Sequence, residues 1–141
     1  MHTYDEDLAL WMDAQIQLLL EHRFAELDVD NLVAELDGMK KQYEHELDSR
    51  LTVLIMHLLK CQYQKDYPQN KWRSTLIEQR YRLSRLLKTS PSTRKLVPKY
   101  ATECYPIARR RAAEETGLGE DVFPHSLPYS IEQLMDQAFM P

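Results

Sequence analysis

Histidine, cysteine and glutamate are among the residues of this chain that could hold a metal ion or act as acid–base groups or nucleophiles. A glutamate three residues before a histidine is a common metal-binding unit in helical bundles. The residues three positions before His22, His45, His57 and His125 are instead Leu19, Gln42, Leu54 and Val122. Cys61 and Cys104 stand alone, and there is no glycine-rich phosphate loop, GxSxG or HExxH motif. We therefore expect no metal, no cofactor, and none of the standard nucleotide, acyl-transfer or zinc chemistries.

Arg50 and His57 are the two residues that could carry catalysis. They are seven residues apart, or two helical turns, so they project from the same side of one helix. Their spacing resembles the arginine–histidine motif of HEPN ribonucleases, helical proteins that dimerise around one RNA, and this resemblance implies metal-independent RNA cleavage. Those enzymes usually follow the arginine with a polar residue, whereas here Leu51 follows it. The structural alternative, which we favour, is that Arg50 pairs with a carboxylate such as Glu46 and His57 makes one hydrogen bond at a helix contact.

Charge is distributed very unevenly along the chain. Residues 1–70 hold 14 acidic and 6 basic side chains, residues 71–111 hold 2 and 12, and residues 112–141 hold 6 and none. The basic segment could follow a phosphate backbone, and its aromatic residues could stack on bases. The nucleic-acid-binding candidates are the basic residues on the polar face of its first helix: Lys71, Arg82, Arg85 and Lys88. The alternative is that the segment pairs with acidic helices of its own fold, which the net charge of −4 favours.

Arg80 differs from these residues because it falls on the apolar side of the same helix, near Trp72 and Leu76. A buried arginine is costly unless it is paired. We therefore expect a buried carboxylate from the preceding helix as its partner.

Helices must position these side chains. The chain has 21 leucines, only 10 isoleucines and valines together, and 3 glycines, which favours helices and excludes an all-β fold. Thr3 and Glu6 have capping-box spacing and predict a first helix to about residue 22. Asp28 is expected to cap a long second helix that ends near Cys61. Its apolar stripe predicts that five residues are buried: Leu36, Tyr43, Leu47, Leu54 and Leu58.

The second half of the chain contains equally clear helix signals. A third helix is predicted from about Trp72 to Lys88. Ser90 followed by Pro91 predicts the start of a fourth helix, which ends at Gly117 and is interrupted by two prolines, Pro98 and Pro106. An apolar strap follows, formed by Phe123, Pro124, Pro128 and Tyr129. Ser130 with Gln133 forms a capping box for a last short helix.

Short motifs spread along the chain resemble a known family. They include Arg23-Phe24, Leu27-Asp28, the run from Ser49 to Lys60, Gln79-Arg80, Ser90-Pro91-Ser92, the ETGL sequence from Glu115, Phe123-Pro124 and the PYS sequence from Pro128. In this order they resemble bacterial domain-of-unknown-function family number 29, over about residues 4–141. The resemblance implies an all-helical bacterial protein, from a family common in cyanobacteria, without an established function. The chain departs from the family pattern at Cys61, where a tryptophan is usual.

Together these observations predict a single all-α domain over residues 1–141. We expect an up-and-down bundle of four main helices with a long central second helix, followed by a C-terminal strap and a short helix. The acidic start lacks the features of an export signal, and the longest apolar run is too short to span a membrane, so we expect a cytoplasmic protein. We interpret it as a non-enzymatic accessory or protein-interaction module with an unidentified protein partner. The alternatives are nucleic-acid binding through residues 71–111 and a HEPN-like ribonuclease; a homodimer is compatible with each.

Overall fold

The computed structural model describes residues 3–66 and 69–141, and within these ranges the chain is helical and has no strand. The α-helices are α1 (Leu8–Leu20), α2 (Val29–Tyr63), α3 (Asn70–Thr89), α4 (Val97–Thr116) and α5 (Ile131–Met135). Three short 3-10 helices lie between them: Phe24–Glu26, Pro91–Leu96 and Glu120–Val122. The predicted all-α bundle with a long second helix is confirmed. No helix in the described ranges is long and apolar enough to cross a membrane.

The chain forms two compact units, an N-terminal unit that ends at Gln42 and a C-terminal unit that begins at Tyr43. In the N-terminal unit, α1 and the first part of α2 form a helical hairpin. The side chain of Asp7 accepts the N–H of Leu10 and caps α1, while the carbonyl of Thr3 accepts N–H groups in the preceding turn. The predicted cap at Thr3 is therefore wrong, because that residue begins a turn and the helix starts at Leu8.

In the C-terminal unit, α2, α3 and α4 run up, down and up. The hydroxyl of Tyr43 donates to the carbonyl of Leu86 near the end of α3, and Lys60 lies over the ring of Trp72 near its start. These contacts make α2 and α3 antiparallel. Lys60 also bonds Glu115 at the end of α4, 2.9 Å away, so α2 and α4 end side by side.

The hydrophobic core lies in the C-terminal unit. It combines leucines of α2 and α3 with small residues of α4 and is closed by the C-terminal strap and α5: Leu47, Leu51, Leu54, Leu58, Leu76, Leu83, Val97, Ala101, Ala108, Phe123 and Leu134. Leu47, Leu54 and Leu58 are buried as predicted, and Tyr43 is half-buried. Leu36 is 64% exposed, contrary to prediction. It lies in the part of α2 that belongs to the N-terminal unit, outside the hydrophobic core.

The start and end of α4 show how prolines and a glycine set helix limits. Ser90 precedes the 3-10 helix Pro91–Leu96, and the α-helix begins only at Val97, so the predicted start at Pro91 is wrong. Pro98 lies in the first turn of α4, where backbone N–H groups have no acceptor within the helix, so the absence of an N–H on proline breaks no helical hydrogen bond. Gly117 ends the helix with φ of 73°, in the left-handed conformation that glycine adopts most easily, as predicted. The Ser130–Gln133 capping box at the start of α5 is also confirmed.

Candidate functional site

Arg50 and His57 each contact a group of their own helix. The Arg50 Nε lies 3.7 Å from the Glu46 Oε1, an ion pair that is too long for a hydrogen bond, and that Nε is buried without an acceptor. The His57 Nδ1 lies 2.9 Å from the carbonyl oxygen of Val53. Because a carbonyl only accepts, Nδ1 carries the proton. No hydrogen bond joins Arg50 to His57 in the part of the chain that the structure describes.

Burial holds the pKa of His57 below its ordinary value, and nearby Lys60 lowers it further, while the bond to Val53 acts in the opposite direction. The folded state therefore binds fewer protons at this site than the unfolded state near pH 6. We expect the free energy of unfolding to fall as the pH drops from 7 through about 6.5, the ordinary pKa of histidine. Denaturant unfolding at a series of pH values checks this. The fall should be shallower in His57→Gln; an identical pH profile in both proteins would contradict it.

Arg80 is 1% exposed and donates to three backbone carbonyls. Its Nε bonds Leu134 at 2.9 Å, its Nη1 bonds Phe139 at 2.7 Å, and its Nη2 bonds Gln133 at 2.9 Å. The expectation of a carboxylate partner from α2 is therefore wrong. The guanidinium instead binds carbonyls at the C-terminal end of the short helix α5 and in the residues after it. Burial lowers the pKa of Arg80.

A groove of about 510 Å³ lies between α2 and α3. Tyr43 and Glu46 line it from α2, and α3 contributes Glu78, Tyr81, Arg82, Arg85, Leu86 and Thr89. Arg82 bonds Glu78 at 3.0 Å, and the Arg85 guanidinium lies 5.8 Å from the ring centre of Tyr81. The groove thus carries charges of both signs.

The four nucleic-acid-binding candidates do not share one site. Lys71, Arg82, Arg85 and Lys88 are all exposed. Arg82 and Arg85 line the groove with α2, Lys88 lines a separate cavity, and Lys71 lines neither.

Two other charges of the basic segment pair within the fold. Arg109 lies 3.4 Å from Glu120 and also bonds the carbonyl of Phe123. Arg111 lies 4.0 Å from Glu115. These acidic partners belong to residues 112–141, the third charge segment of the sequence.

The cysteines are buried in the C-terminal unit, and burial raises the pKa of Cys104 to about 11 and that of Cys61 in the same direction. Both thiols are therefore protonated at neutral pH, which makes them poor nucleophiles. Among the described residues, no group of three or more His, Cys, Asp or Glu side chains could hold a metal ion.

The N-terminal hairpin has an exposed apolar surface that the sequence pattern does not predict. Eleven of the fifteen exposed large hydrophobic side chains of the described chain lie between residues 8 and 39. Five of them form a stripe along one face of α1, called here the α1 stripe: Leu8, Met12, Ile16, Leu19 and Leu20. A neighbouring side of α1 buries only Trp11, Gln15 and Leu18. Helical spacing of leucine, isoleucine and methionine shows that this side of α1 is apolar, but not that it is uncovered.

Polar bonds hold the hairpin together. The indole Nε1 of Trp11 donates to Asp28 Oδ2 at 2.9 Å, and the side-chain oxygen of Gln15 accepts the N–H of Asp28 at the same distance. The side chain of Asn31 also donates to the Asp28 carboxylate. The hydrogen bonds from Asn31 and Trp11 lower the pKa of Asp28. The hairpin therefore keeps its shape with few buried apolar side chains, and the α1 stripe stays exposed.

Comparison with known families gives one match over almost the whole chain. The family described as "Domain of unknown function DUF29" matches residues 3–140. Comparisons with curated proteins and with solved structures give no match.

Proposed function

The chain belongs to the DUF29 family, whose description assigns no function, and from that premise we propose that it is a non-enzymatic protein-interaction module. Its N-terminal hairpin binds an amphipathic helix of a partner protein through the α1 stripe. The proposal assumes a bacterial cytoplasmic setting, as the sequence analysis leads us to expect.

The α1 stripe is the observation that carries this proposal. Its residues from Leu8 to Leu20 repeat mainly at intervals of four and extend about 18 Å along the helix axis. A helix face of this kind is the usual docking surface for a second amphipathic helix. Exposed apolar side chains gathered on one face mark interaction sites more often than scattered ones do.

The charge of the hairpin indicates the chemistry of the partner. Residues 3–42 contain ten acidic and three basic side chains. Two of the three cations are already paired: Arg23 with Glu21 and Glu26, and Lys41 with Asp37. A second copy of the hairpin would bring the same negative charge against this surface. A partner helix with an apolar stripe flanked by lysine or arginine would instead be attracted to it.

Binding of a synthetic amphipathic peptide tests this proposal. The probe has 18 residues, with leucines at helical spacing and lysines on the other face, and its affinity is measured by titration calorimetry. We expect the double variant Ile16→Gln/Leu20→Gln to bind at least about tenfold more weakly, since each side chain loses apolar burial and 1.4 kcal/mol is a factor of ten.

The matched control is Ile77→Gln/Ile107→Gln, which changes two side chains that are 55% and 54% exposed in the C-terminal unit. It keeps the same net charge and should bind the peptide like the unaltered protein. A second peptide of identical composition, with the leucines dispersed around the helix, should bind weakly to all three proteins. Equal affinity for the two peptides, or equal losses in the two double variants, would refute the α1 stripe as the docking surface.

Nucleic-acid binding and RNA cleavage stay predictions of the sequence analysis. One observation favours the first: Arg85 has no carboxylate within ion-pair distance in the described chain and lies beside Tyr81, a ring on which a base could stack. Against it, Glu46 and Glu78 line the same groove and would repel a phosphate backbone. The ribonuclease alternative requires that the protein cleaves RNA without added metal. Arg50→Ala and His57→Ala should each abolish that cleavage.

A further inference from the structure

We propose that the C-terminal unit contains a binding site for a small organic phosphate, in a cavity of about 400 Å³ between α3, the 3-10 helix Pro91–Leu96 and the C-terminal end of α5. The site is independent of the docking surface on α1. Its volume lies within the range of cavities that hold small ligands.

Three cations line this cavity. Arg80 and Lys88 come from α3, and Arg94 comes from the 3-10 helix. No aspartate or glutamate is among the lining residues, and neither Lys88 nor Arg94 has a carboxylate within 4.0 Å in the described part of the chain. The groove between α2 and α3 differs in this respect, since two glutamates line it. A concave surface with positive charge alone attracts an anion.

Arg80 distinguishes this cavity from a chance cluster of surface lysines and arginines. Its guanidinium is almost fully buried and is fixed by the carbonyls of Gln133, Leu134 and Phe139. A guanidinium has five N–H groups, and these bonds use three, so one on each terminal nitrogen has no acceptor among the described residues. The carboxylate of Asp136 attracts Arg80 electrostatically, but it accepts the N–H of Ala138 and does not line the cavity.

The other lining residues indicate which anion fits. Ser84 offers a hydroxyl that can donate to a phosphate oxygen, and Gln137 offers a side-chain amide. Leu87 and Met135 provide apolar wall. A phosphate group bound by the cations, with a small apolar body against Leu87 and Met135, uses both kinds of surface.

Titration calorimetry with phenyl phosphate tests the proposal, at pH 7.5 and constant ionic strength. Phenyl phosphate should bind, and phenol should not. In Lys88→Ala/Arg94→Ala the affinity should fall at least about tenfold, because two charged donors to the phosphate are lost. Both side chains are exposed, so the double variant should stay folded.

The control double variant is Arg85→Ala/Lys95→Ala, which removes the same charge from the same two helices but from residues that do not line the cavity. It should keep the affinity for phenyl phosphate. Absence of binding, or equal losses in both double variants, would overturn the proposal. A third ligand, an oligonucleotide without terminal phosphates, gives a further test. If it binds through Lys88 and Arg94 while phenyl phosphate does not bind, the proposal is also overturned, because the cavity would then bind a nucleic-acid backbone.

Discussion

Arg80→Met is expected to lower the free energy of unfolding by about 3–5 kcal/mol, the usual cost of removing one partner from a buried charged pair or network. Methionine keeps an unbranched apolar side chain but donates no hydrogen bond. The carbonyls of Gln133, Leu134 and Phe139 would lose their donor inside the protein. Chemical denaturation followed by circular dichroism measures the change.

Arg82→Met is the matched control, two residues along the same helix. Arg82 is exposed and bonds only Glu78 in the described chain, an ion pair of the kind that contributes little. We expect a change within about 0.5 kcal/mol. Similar losses of stability in the two variants would contradict the role of Arg80 in fixing α5 and the residues that follow it.

Leu54→Ala and Leu36→Ala compare the same substitution at two positions of one helix. Leu54 is fully buried and Leu36 is 64% exposed. We expect Leu54→Ala to cost about 2–5 kcal/mol of unfolding free energy, from lost apolar burial and the cavity left behind. Leu36→Ala should change it by less than about 0.5 kcal/mol, since alanine also favours the helix.

The same denaturant titration measures both variants, and the slope against denaturant should be unchanged. A large cost at Leu36 would mean that this face of α2 is covered in the isolated chain. In that case the hairpin would not expose its apolar side chains to solvent, and the proposed function, which depends on that exposure, would be wrong.

Local signals in the sequence predicted the elements well. Ser130 with Gln133, and Gly117, correctly mark one helix start and one helix end, because capping depends on residues that are neighbours in the chain. Thr3 and Ser90 were misassigned because a turn and a 3-10 helix use the same residue types as a cap. Leu36 was misassigned for another reason: periodicity identifies the apolar side of a helix but not the element that covers it.

The candidate sites were harder to predict than the helices. The Arg50–Glu46 contact was correctly expected because its residues are one turn apart on one helix. The partners of Arg80 were not predicted, because they are backbone carbonyls more than 50 residues away, and a pattern of side chains does not indicate which carbonyls lie near an arginine. The phosphate cavity combines Lys88 with Arg94 and the end of α5, and only the packing of these elements brings them together.

The proposed docking of a partner helix on α1 is tested most directly by nuclear magnetic resonance. The basic amphipathic peptide is titrated into the isotopically labelled full chain, and the changes in backbone amide shifts are mapped by residue. The proposal predicts that the largest changes fall on Leu8–Leu20, centred on the turn of Ile16, with much smaller changes along α3 and α4. Changes concentrated on the groove residues Tyr43, Tyr81 and Arg85, or no changes at saturating peptide, would contradict it.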